Sequence, residues 1–151
     1  MTALSPRLFT SDAEIARIGE GLVARDLPRE GWTHEAHLAA TIYLLTRRPD
    51  IDLDTALPGI IRAYNESVGG VNDDTQGYHE TITRLFLRGV RLFLVDSDAD
   101  ESLHELVNTL LQSPMGRRDW PLRFYSAERL FSVNARRHFV LPDLAVLPQT
   151  C

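Results

Sequence analysis

GYHETITRLFLRGVRLFLV, residues 77–95, is the stretch on which the fold turns. Its last five residues, Arg91-Leu92-Phe93-Leu94-Val95, pass for a β-strand when taken alone. Taken whole, Tyr78, Ile82, Leu85, Phe86, Gly89, Leu92 and Phe93 recur every three or four residues, which lines one side of a helix rather than one face of a strand. Glu80, Arg84, Arg88 and Arg91 form a polar row, with Glu80 and Arg84 at the i, i+4 spacing of an ordinary surface ion pair. A lone strand would have no partner, because period-2 alternation bounded by hairpin turns occurs nowhere else in the chain. The spacing therefore predicts a long helix over residues 77–95.

Helix signals continue in both directions. Ser11-Asp12-Ala13-Glu14 has the form of a capping box and opens a helix to about Arg25. Leu27–Gly31 breaks the chain; Thr33 caps a second helix to about Arg47, ended by Pro49. Asp52 or Asp54 starts a third, with Pro58 tolerated in or near its first turn, and Gly69-Gly70 stops it. Asp98 with Glu101 caps a further helix to about Gln112. Short helical turns are expected at residues 126–131 and 132–139, then an extended tail, VLPDLAVLP, at 140–148. The expectation is an all-α, single-domain bundle of four to six helices spanning residues 1–151, with a Pro-containing C-terminal tail.

Composition narrows the chemistry. All 16 basic residues are arginine, which removes Schiff-base catalysis, pyridoxal-phosphate anchoring and the lysine of a P-loop. The single cysteine, Cys151, offers neither a disulfide nor a cysteine zinc site, and a terminal thiol is a poor nucleophile. The net charge of −5 and the scattered arginine pairs at 47–48, 117–118 and 136–137, which read as solvated surface, argue against nucleic acid as a partner. No apolar run approaches the ~20 residues of a membrane span, and no signal-like stretch opens the chain, so no membrane partner and a cytoplasmic location are expected.

Histidine, carboxylate, tyrosine and arginine remain. In WTHEAHL, residues 32–38, His34 and His37 lie three apart in the first turn of the second helix, within reach of one common ligand. The positive end of a helix disfavours imidazolium and keeps both rings in the neutral form that binds metals or accepts protons. His79 opens the long helix in the same way, and alternate helices of an up-down bundle start at the same end. His34, His37 and His79 are therefore expected around one pocket, as ligands of one divalent metal ion of open identity. Tyr78 and Glu80 are the candidates to assist proton transfer, although Glu80 also fits its surface pair with Arg84. Trp32 and Asn65 are candidate ligand contacts. Arg129 and Arg136 are placed to hold a carboxylate or phosphate group, against the ordinary alternative of pairing with acidic residues. Asn72, Asp73 and Asp74 either complete the mouth or cap the long helix.

WTHEAHL, RAYNESVG, GYHETIT and YSAERLFSVNARR with its following Pro-Asp-Leu resemble a set of small, uncharacterised, mainly bacterial proteins over residues 30–145. The resemblance implies that the chain is one unit and implies no substrate. Three readings follow from the residues. One is a metal-dependent protein acting hydrolytically on a small molecule. A second is a metal-free protein binding an organic ligand, or doing acid–base work, with the same histidines. The third is a non-catalytic interaction protein, its histidines structural and its apolar tail packed on a partner or a second copy.

Overall fold

Among the described residues, each of the seven α-helices starts on a side chain that accepts the backbone N–H three residues on, or two on for the third helix. Ser11 caps α1 (Asp12–Ala24), Thr33 caps α2 (His34–Arg47) and Asp52 caps α3 (Leu53–Ser67). His79 caps α4 (Glu80–Val95), and Ser102, Ser126 and Ser132 cap α5 (Leu103–Leu111), α6 (Ala127–Leu130) and α7 (Val133–Arg137). The computed structural model describes residues 7–98 and 100–149, and among these there is no strand. Cys151 lies outside them.

Three boundaries differ from expectation, each for a local reason. The long helix begins at Glu80, so His79 is its cap and not a first-turn residue; its backbone is extended (φ −130°, ψ 111°) and its ring takes the free N–H of Ile82. Asp98 does not cap α5. Its carboxylate closes a local turn onto the Asp100 N–H at 2.9 Å, and the Ser102 hydroxyl takes the cap. Pro58 sits well inside α3, beyond its first turn. A proline there leaves the carbonyl four residues back without its donor, and Arg84 supplies one, donating to the Asp54 carbonyl at 2.9 Å.

α1 packs most extensively on α2. Ile15 and Leu22 from one helix, and Leu38, Ile42 and Leu44 from the other, are fully buried between the layers and α5. Burying such side chains is worth roughly 1.5–3 kcal/mol each. The half-exposed Glu20 accepts from Tyr43 and Arg48, both at 2.8 Å, and adds register more than energy. Gly19 permits the close approach, since a Cβ there would stand 2.2 Å from a Tyr43 ring carbon.

A second, smaller core forms where the C-terminal third folds back over α4. Leu85, Trp120, Tyr125, Leu130, Val140 and Leu147 build it, and Phe86 and Met115 join it to the first. Thr81, fully buried, clamps the tail: its hydroxyl donates to the His138 carbonyl at 2.9 Å and accepts the Val140 N–H at 3.2 Å. Tyr125 donates to the Val140 carbonyl at 2.6 Å. The tail is thus anchored on its own domain at Val140 and Leu147, while Leu141, Leu144 and Val146 stay exposed. Among the described residues no helix is long and apolar enough to cross a membrane.

Candidate functional site

A cavity of about 750 Å³ lies at the end of the bundle where α2 and α4 begin and α3 finishes. That volume is within the usual range of small-molecule sites, roughly 300–1,000 Å³. His34, His37 and His79 all line it, with Trp32, Tyr64, Tyr78 and Phe86. The three imidazoles do different things there.

His34, the first residue of α2, donates through Nε2–H to the Gly116 carbonyl at 2.8 Å, and its ring meets the Phe86 edge at 5.5 Å. This ties the loop after α5 to the cavity wall. His79, only 8 % exposed, spends both nitrogens on backbone. Nδ1 accepts from Ile82 N–H at 3.1 Å, and Nε2–H donates to the Leu130 carbonyl at 2.7 Å, pinning the turn between α6 and α7. His37 is held by neither kind of bond among the described residues; its ring packs edge-on to Trp32 at 3.8 Å and opens onto the lumen. The surrounding chain, and then His34 and Arg118, lower its pKa below the ordinary value, although the residue itself is exposed to the cavity. Burial likewise lowers His79, and Arg136 adds to the effect.

The remaining expected residues divide. Trp32 and Asn65 line the cavity; the Asn65 amide is engaged with Asn72 at 3.0 Å, bracing the glycine-rich loop. Arg136 lines it too, its guanidinium fixed by the carbonyls of Gly77 at 3.0 Å and Tyr78 at 3.3 Å. Tyr78 lines the wall but directs its hydroxyl to Glu80 at 2.5 Å, and Glu80, also held by Arg84 at 3.0 Å, is not part of the lining. Burial and then the Glu80 carboxylate push the Tyr78 hydroxyl pKa up, while burial alone would raise Glu80 and the bonds from Tyr78 and Arg84 outweigh it. Arg129 lies away from the cavity and donates to the tail carbonyl of Leu141 at 2.6 Å. In the loop before α4, Asp73 closes a turn onto Thr75 and Gln76, and Asp74 pairs with Arg137.

The structure adds Arg29, Arg118, Tyr64 and Phe131 to the wall. Tyr64 carries a helical-period signal and anchors the chain break by donating to the Leu27 carbonyl at 2.9 Å. Arg118 had no local signal: within the 117–118 pair, Arg117 bonds Asp119 at 3.0 Å across the surface, while Arg118 turns to the cavity. No protein-family model, curated protein or solved structure matches the chain.

The depressed histidines set a pH dependence. The unfolded chain protonates these rings near their ordinary value of 6.5, whereas the folded chain holds both below it, buried His79 foremost. Between the ordinary and the lowered values the unfolded state binds more protons, so stability present at neutral pH is lost as pH falls through that window. The urea midpoint is expected to be lower at pH 5 than at pH 7.5, with a shallower slope in His37→Gln. A midpoint that holds steady across that interval would contradict the assignment of two uncharged rings.

Proposed function

We propose that the protein binds a small organic molecule in this cavity without a metal ion. The observation that carries the reading is the division of labour among the histidines. His79 has no lone pair left for a ligand, because one nitrogen is a helix cap and the other a donor to Leu130. Among the described residues His34 keeps only Nδ1 free of a bond, and His37 both ring nitrogens. Among the described residues no group of three or more histidine, cysteine, aspartate or glutamate side chains is arranged to hold an ion. An apolar wall with a few convergent polar groups is instead the form of an organic-ligand pocket.

Binding is favoured over catalysis on the same grounds. Of the proton-transfer candidates, Tyr78 has its hydroxyl tied to Glu80 and raised above its ordinary value, and Glu80 is not part of the lining. In this reading His37 is an uncharged contact at the lumen, Trp32 and Phe86 are its apolar wall, and His34 and His79 hold the wall in place.

The test uses the uncharged fluorescent probe N-phenylnaphthylamine. It is expected to bind once per chain, with and without chelator, and His37→Trp, which fills the lumen, should weaken it about ten-fold or more, about 1.4 kcal/mol. Binding abolished by chelator, or a melting temperature raised by zinc, manganese, nickel or iron and not raised in His37→Ala, would replace this reading with the metal-dependent one.

A further inference from the structure

The charges around the cavity are one-sided. The chain carries 21 acidic residues and a net charge of −5, yet among the described residues no aspartate or glutamate lines the cavity, while Arg29, Arg118 and Arg136 do. Two arginine pairs are split in the same way. Arg117 and Arg137, facing solvent, are neutralised by Asp119 and Asp74. Arg118 and Arg136, facing the cavity, form no ion pair among the described residues. Uncompensated cations on a concave apolar wall focus a positive field into it, and a guanidinium presents a fork suited to carboxylate or phosphate.

The arginines are also positioned. Arg136 is held by two backbone carbonyls, which use NH1 and leave its other donors free. Arg118 follows Gly116 by two residues, and His34 grips the Gly116 carbonyl. His79 grips Leu130, one residue before Phe131, which lines the mouth and is 61 % exposed.

We infer that the ligand is an organic anion, its apolar body against Trp32 and Phe86 and its single carboxylate or phosphate head at the mouth, held by Arg118 and Arg136. This rests on the metal-free binding reading above. The test compares naphthoate, naphthyl phosphate and uncharged naphthalenemethanol by titration calorimetry on the full chain. At least one anion is expected to bind about ten-fold or more tightly than the alcohol, and the tighter of the two identifies the head. Arg118→Glu should erase that margin and Arg136→Gln reduce it several-fold, with the melting temperature unchanged in Arg118→Glu. Arg118 is exposed and makes no hydrogen bond among the described residues, so its replacement leaves the fold intact. Equal or absent affinity for the three compounds, or a margin that survives both substitutions, overturns the anion inference alone if N-phenylnaphthylamine still binds. Failure of that neutral probe to bind the unaltered chain overturns the pocket reading and this inference with it.

Discussion

His79→Ala is expected to destabilise the fold by about 3 kcal/mol, the combined effect of a lost helix cap and a buried carbonyl left without its donor. For a chain of this size that lowers the melting temperature by roughly 6–12 °C. The ring is wedged between the start of α4 and the turn between α6 and α7, and it is the direct link from the Ile82 N–H to the Leu130 carbonyl. Truncation therefore frays α4 where it borders the cavity and frees the segment that delivers Phe131 and Arg136. His79→Asn, which keeps a capping oxygen but cannot span to Leu130, should fall between the two. His37→Ala is the contrast: its ring faces the lumen without a hydrogen bond among the described residues, so its removal should stay within about 0.5 kcal/mol. Urea denaturation of the four proteins separates these outcomes. Equal destabilisation at positions 37 and 79 would remove the distinction between a structural and a lumenal histidine.

Gly77→Ala is expected to cost about 3 kcal/mol, from left-handed backbone strain together with overpacking. Gly77 has φ +83°, and a Cβ there would stand 2.3 Å from the Val71 carbonyl oxygen and 2.6 Å from Asn72 Oδ1. Neither atom is the end of a loose side chain. The Asn72 amide oxygen already accepts from Tyr78 N–H at 2.9 Å and from Asn65, and the Gly77 carbonyl holds Arg136. The substitution therefore disturbs the support of the mouth as well as the loop. Gly69→Ala supplies the control, since its φ is +86° but a Cβ there would meet nothing within 4 Å. It should show the backbone cost alone, about 1–2 kcal/mol. If the two variants unfold at the same denaturant concentration, the close approach at Gly77 is not a constraint on the fold.

Helix existence was legible because its signals are local. The apolar period in α4, the hydroxyl and carboxylate caps of α1, α2 and α3, and the serines before α6 and α7 are satisfied within a few residues of themselves. The errors at helix starts came where two local solutions compete. Asp98 is a good cap by composition, but its turn onto Asp100 was equally available. The proline in α3 was harder still, because its remedy is Arg84, thirty residues beyond the freed Asp54 carbonyl.

By itself the sequence determined that the chain is helical, that it has no lysine chemistry, and that histidines mark the starts of two helices. It also placed those histidines at one end of the bundle, because chain order and short connections constrain direction. What each imidazole does was decided only by the tertiary structure. A ring nitrogen is a cap, a staple or an open contact according to which carbonyl folds back against it, and Gly116 and Leu130 lie 82 and 51 residues away from their histidines. The same holds for the arginines, whose pairing with a carboxylate or turning toward the cavity depends on long-range packing that no spacing along the chain encodes.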